Sequence, residues 1–271
     1  MMPRLTCLIL AFLAATISPG VALEITRGQA VQGGLIILTA DPSSRLTLDG
    51  EALMMTADGH AVVGFHRDDT AAITIIETRQ GDERDRLVLT PATRTYKEQR
   101  INGLPGKMVT PPEEVLARIK RDREVVKSAR AHATAIGAFA EPFIWPAHGI
   151  ITGVYGSRRI LNDEPRAPHY GIDIAAAKGT PVVAPQSGVI RMVEDLYFTG
   201  WTIILDHGHG VSSTFLHLDT TNAQAGQTVQ QGEVIGTVGS TGRSTGPHLD
   251  WRINLFGKRL DPALLVGEMP E

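Results

Sequence analysis

The chain has 271 residues, 42% of them hydrophobic, 20% charged and 5% aromatic; this ordinary globular composition excludes a disordered or collagen-like chain. The 26 Lys and Arg set against 29 Asp and Glu give a net charge of −3, and without a dense basic run there is no nucleic-acid footprint. The single cysteine excludes an intramolecular disulfide and a cysteine-based zinc cluster, so any metal site must use His, Asp and Glu.

Residues 1–22 read as a signal peptide. Arg4 gives a short positive start, Leu5 to Ile17 is almost continuously apolar, and Ser18-Pro19 breaks the run. Gly20-Val21-Ala22 then supplies the small residues of a cleavage site. About 13 apolar residues are too few to span a bilayer, which takes roughly 20. Cleavage after Ala22 removes Cys7 and leaves a mature chain suited to an oxidising compartment. An exported protein without stable membrane insertion is expected. Mass spectrometry of the protein from its native envelope should find a mature N-terminus near Leu23; intact residues 1–22 on a soluble cytoplasmic form would refute this.

Residues 23–100 have a β pattern. Leu35-Ile36-Ile37-Leu38, Arg45-Leu46-Thr47-Leu48, Ala61 to Phe65, Ala72 to Ile76 and Leu87 to Thr90 are short runs separated by turns, and Asp49-Gly50 is a hairpin signal. They predict a small β-sandwich. Residues 101–138 read as a connector with a solvated helix, capped by Thr110, entered at Pro111 and fading near Gly137. From 139 to 271 glycine is dense and β-branched pairs recur, predicting seven or more strands of an antiparallel β domain. The whole is mainly β.

Three groups in that last domain carry chemistry. In His169-Tyr170-Gly171-Ile172-Asp173 the outer residues lie about 13 Å apart on a straight strand, but Gly171 permits a bend that folds His169 toward Asp173. In His248-Leu249-Asp250 the outer residues share a face about 6.6 Å apart. His217 stands alone among strand residues, where a satisfied core histidine is the bland alternative. Together the three groups favour a metal site, and nitrogen and oxygen ligands with an open position point to catalytic zinc.

These motifs carry a family resemblance. Residues 145–264 resemble the lysostaphin/LytM-type zinc metallopeptidases, through Trp145-Pro146, Tyr155-Gly156-Ser157-Arg158, Pro168 to Ala175, Gly179-Thr180-Pro181-Val182, Asp206-His207-Gly208, Phe215 to Leu218, Gly226 to Val229 and Gly236 to His248. The resemblance implies a periplasmic endopeptidase that cuts peptide bonds in peptidoglycan with one Zn²⁺ per chain. It makes His169 and Asp173 metal ligands and His217 and His248 the catalytic pair, their division of labour open. The family's third ligand is the second His of a His-x-His, and Asp250 stands there. Asp250 then either binds the metal, lowering its Lewis acidity and displacing the pH optimum to the alkaline side, or pairs with Arg252 in a protein without metal. His207 and His209 fall in a turn behind the site, and Arg158, Arg159 and Arg243 are candidates for substrate carboxylates. The competing expectation is a degenerate domain of the same fold that binds murein or activates a separate amidase.

Overall fold

The computed structural model describes residues 22–270; apart from Ala22, the signal segment read from the sequence lies outside them. Seven strands come first: β1 (Glu24–Arg27), β2 (Leu35–Thr39), β3 (Arg45–Leu48), β4 (Glu51–Leu53), β5 (His60–Gly64), β6 (Ile73–Arg79) and β7 (Asp82–Leu89). They form two antiparallel sheets, β1-β2-β5 and β4-β3-β6-β7. Asp49 and Gly50, at φ 50° and 89°, make the tight turn between β3 and β4, as hairpin chemistry requires. Ile36, Leu38, Val63 and Phe65 from one sheet meet Leu46, Ile75 and Leu89 from the other, so the expected sandwich forms. Strand β2 is apolar at four successive positions because both its faces are covered. Ile36 and Leu38 enter the sandwich, whereas Leu35 and Ile37 join the core of the C-terminal sheet.

The connector departs from expectation at both ends. It opens with a strand, β8 (Glu98–Ile101), before a single turn α1 (Gly106–Val109) and the helix α2 (Leu116–Arg130). Thr110 does not cap α2. The extended Pro112 intervenes, and a 3₁₀ turn at Glu113–Val115 leads into the helix without a side-chain cap. Helix α2 ends at Arg130, not near Gly137, because the following backbone is claimed by the sheet behind it. The Thr134 carbonyl accepts from the His209 amide, and Thr134 Oγ1 donates to Asp206. Val125, Val126 and Ala129 pack on Met192, Leu196 and Ile204, and Asp122 is buried with them, while Arg121, Arg123 and Lys127 stay exposed.

The remaining strands are β9 (Ile150–Gly153), β10 (Arg158–Leu161), β11 (Glu164–Arg166), β12 (Ile172–Ala175), β13 (Pro181–Val183), β14 (Gly188–Leu196), β15 (Gly200–Gly208), β16 (Val211–Thr221), β17 (Thr228–Val229), β18 (Val234–Val238), β19 (His248–Leu255) and β20 (Lys258–Leu260). Strands β8 and β10 pair in parallel and β11 closes this small sheet. The others build a ten-stranded antiparallel sheet, ordered β17-β14-β15-β16-β19-β12-β9, with β13, β18 and β20 attached. The chain is mainly β. No helix among the described residues is long and apolar enough to cross a membrane.

A buried polar chain crosses the middle of this sheet. His207 Nδ1 donates to the Ser187 carbonyl at 2.9 Å, its Nε2 lies 2.8 Å from Ser213 Oγ, and Trp251 Nε1 reaches the same hydroxyl. Burial pushes His207 down to about 4. Below its ordinary value of 6.5 the unfolded chain therefore takes a proton that the folded chain refuses. His207 should contribute no penalty above pH 6.5 and cost about 3 kcal/mol as pH falls to 4. Urea unfolding at pH 7.5 and 4.5 checks this. His207→Gln should lose that part of the acid sensitivity; an undiminished drop would refute it.

Candidate active site

The site forms where β12 and β19 run side by side. Asp173 and Asp250 are direct cross-strand partners in this pair, a placement of like charges that is unfavourable without a cation nearby. His169 enters just before β12, held by its amide on the Ser157 carbonyl and by its carbonyl on the Gly156 amide. Its Nε2 lies 3.1 Å from Asp173 Oδ1. Gly171 allows this through space, not through a left-handed backbone: a Cβ there would sit 2.5 Å from Asp250 Oδ1. Gly153 on β9 makes room in the same way for the Asp173 carboxylate.

His169, Asp173 and Asp250 are all buried, and each brings one ligand atom within 4.8 Å of the others. Both nitrogens of His169 and Oδ1 of Asp173 are buried without a hydrogen-bond partner. Such orphaned atoms are costly unless something else satisfies them. Two donors bound about 2.0–2.1 Å from one tetrahedral ion stand roughly 3.3 Å apart, close to the His169–Asp173 separation. The donor set fits a divalent cation.

Two arginines share this site. Arg159 Nη2 donates to Asp173 Oδ2 at 2.6 Å. Arg252 forks onto Asp250, with Nε to Oδ1 at 2.9 Å and Nη2 to Oδ2 at 2.5 Å. Burial alone would raise the pKa of Asp250, but the charge of Arg252, aided by His169 and Arg159, outweighs it and holds the carboxyl well below the usual range. Burial and the neighbouring Asp250 likewise oppose ionisation of Asp173, and His169 and Arg159 reverse them. Both carboxylates are ionised.

His217 and His248 face each other beside this cluster, ring centroids 4.7 Å apart. His217 sits on a bulged part of β16 at φ 63°, a conformation costly for a non-glycine residue. It is held there by its amide on the Thr199 carbonyl and by Nδ1 on the Thr241 carbonyl at 2.7 Å. His248 Nδ1 likewise meets the Gly246 carbonyl at 2.8 Å. Because a carbonyl only accepts, each Nδ1 carries the proton and each Nε2 keeps a free lone pair. Burial, then the charge of His248, pushes His217 down to about 4, so it is neutral at pH 7.

Asp173, Arg159, His217 and His248 line a cleft of about 300 Å³, and the connector contributes a wall of it through Gln99, Ile101 and Leu104. Motif reading missed that wall, since nothing in Glu98–Leu104 signals a site. Arg243 also lines the cleft, its guanidinium over Phe198 and Nη1 on the Met108 carbonyl. Arg159 is committed to Asp173, and Arg158 is exposed on β10. His207 and His209 lie away from the cleft, packed on Phe143 and Phe139.

The profile of peptidase family M23 matches residues 167–262, the stretch that contains His169, Asp173, His217, His248 and Asp250. The C-terminal part of this chain belongs to peptidase family M23. A crystal structure assigned to peptidase M23 from Pseudomonas aeruginosa superposes on 88% of this chain and 95% of its own, with a TM-score of 0.67 and 26% identity. The M23 domain is also similar to the DD-carboxypeptidase/endopeptidase Mpg of Neisseria meningitidis, 43% identical over 103 residues, covering 38% of this chain and 24% of that protein. The peptidoglycan DD-endopeptidase ShyA of Vibrio cholerae is 38% identical over 92 residues, covering 34% of this chain and 21% of that protein. The chain thus matches only about a quarter of the length of these curated relatives.

Proposed function

We propose that this protein is a zinc-dependent endopeptidase that hydrolyses peptide bonds in peptidoglycan outside the cytoplasm. One observation carries the reading: orphaned donor atoms of His169 and Asp173 converge with Asp250 beside two histidines whose Nε2 atoms are free. The substrate class rests on ShyA, which is named as a peptidoglycan DD-endopeptidase, and the peptidase activity also on Mpg, named as a DD-carboxypeptidase/endopeptidase.

His169, Asp173 and Asp250 would hold the zinc, which supplies Lewis acidity toward the scissile carbonyl. The protein's own groups manage the protons. With both Nδ1 hydrogens committed to carbonyls, either Nε2 can accept the proton of an attacking water. Only after taking that proton can the same nitrogen donate, either to the developing oxyanion or to the leaving amine. Acid and base work therefore follow in sequence on the His217–His248 pair. The fixed rings and the connector wall orient the peptide across the cleft.

A second reading rests on the ion pairs. Arg252 on Asp250 and Arg159 on Asp173 are the contacts that a domain working without metal would use to neutralise its carboxylates. Such a domain would bind murein or a partner enzyme without cutting. Metal analysis of the purified mature protein, followed by digestion of purified sacculi, separates the two. One zinc per chain with released muropeptides supports the enzyme; no zinc under saturating metal and no cleavage supports the binding domain.

A further inference from the structure

A second cavity, of about 630 Å³, opens between α2 and the large sheet, within the size range of small-molecule sites. Its walls are apolar, contributed by Ile119, Val126, Leu196, Phe198, Leu216 and Phe256. Its charged lining is one-sided. Arg123, Lys127, Arg130, Arg252 and Arg259 face a single carboxylate, Asp122. That carboxylate is already engaged, accepting from the Tyr197 amide at 2.7 Å and from Arg121 at 3.2 Å. Arg252 is spent on Asp250.

Arg123 and Lys127 are exposed at the cavity's rim, which leaves Arg130 and Arg259 within. Among the described residues neither has a carboxylate within 4.0 Å. Arg130 Nη2 donates to Thr214 Oγ1 at 3.0 Å, but its Nε is buried with no acceptor. Arg259 Nη1 donates to Asn254 Oδ1 at 2.8 Å, and Nδ2 of that same amide is also buried with no acceptor. The orphaned atoms here are all donors. Desolvation, with repulsion from Arg259 and Arg252, pushes the Arg130 guanidinium well below its ordinary range. Half-buried guanidiniums with no carboxylate beside them are costly until an anion joins them.

We infer that this cavity binds an organic anion, its acid group held by Arg130 and Arg259 and its apolar body packed against Phe198, Leu216 and Phe256. The chemistry selects an amphipathic carboxylate. A bare inorganic anion would satisfy the donors but leave the apolar walls uncovered, and a neutral apolar molecule would leave the guanidiniums unpaired. Neither argument involves the peptidase site, so the inference stands apart from the proposed activity.

Calorimetric titration of the mature full-length protein with octanoate, octanol and inorganic phosphate tests it. The protein is first stripped of metal, so that a carboxylate on zinc is not mistaken for this site. Octanoate should bind saturably at one per chain, with octanol and phosphate each weaker by about 10-fold or more, the loss expected when a charge-assisted contact or the buried body is missing. Arg130→Gln should weaken octanoate by about 10-fold or more while far-UV circular dichroism stays unchanged. Phosphate or octanol binding as tightly as octanoate, no octanoate binding, or unchanged binding to Arg130→Gln would each overturn the proposal. If Arg130→Gln does not fold, Arg259→Gln carries the same test. Should both variants unfold, the arginines are structural and the proposal fails.

Discussion

His217→Ala is expected to lower the digestion of purified sacculi by about 10²–10⁴-fold, the usual worth of a positioned proton acceptor, while leaving the zinc content at one per chain. His169→Ala should lose both the metal and the activity. The difference follows from what each ring touches. Neither nitrogen of His169 has a partner in the protein, and Nε2 lies 3.1 Å from the orphaned Asp173 Oδ1. His217 instead spends Nδ1 on the Thr241 carbonyl and pairs with the His248 ring. Metal analysis and muropeptide release, measured on the same preparations, read the two effects separately. Loss of zinc from His217→Ala as complete as from His169→Ala would refute the division of roles.

The second large effect concerns Arg252. Arg252→Met should destabilise the metal-free protein by about 3 kcal/mol, because Asp250 is left ionised and buried beside Asp173. A zinc ion would then supply the missing positive charge. Zinc should accordingly raise the Tm of this variant by roughly 6–12 °C more than that of the unmodified protein. Equal zinc-induced shifts would show that Arg252 does not compensate Asp250. The same pair revises the expected alkaline pH optimum. Counting ligands alone, a second carboxylate brings the formal charge at the metal from +1 to 0, but the guanidinium forked onto Asp250 offsets the negative charge which that carboxylate adds. The premise for a weaker Lewis acid therefore goes. By the same logic Asp250→His on its own would leave Arg252 unpaired next to the ion, so ligand and counter-ion must be exchanged together. Asp250→Ala should release zinc and destabilise the fold.

Much of this was legible in the residues. Alternating and continuous apolar runs marked the strands of the sandwich, and Asp49-Gly50 marked its hairpin. His169, Asp173, His217, His248 and Asp250 stood in motifs whose spacing matched a known peptidase family; the fold brings Asp173, His217 and His248 to one cleft and buries His169 and Asp250 against Asp173. The failures came where local signals were absent or outvoted. Strand β8 has no apolar alternation and exists because β10 offers it a parallel partner. Thr110 had the right chemistry for a cap, but the proline pair moved the helix start five residues on.

What the sequence determined by itself is the set of local periodicities and the chemical kinds at the site: two-residue alternation, glycine where close approach is needed, and histidines and carboxylates without cysteine. Only the tertiary structure decided how those kinds are combined. Asp173 and Asp250 become neighbours through antiparallel register between strands about 75 residues apart in the chain. Arg159 becomes the counter-ion of Asp173, and of the two partners the sequence offered Asp250 the Arg252 guanidinium is in place, because burial leaves no water to do that work. Arg130 and Arg259 are left without a carboxylate partner because helix α2 and strand β20 close over the same apolar cavity. Charge pairing depends on distance and desolvation, and neither is set until the strands have docked.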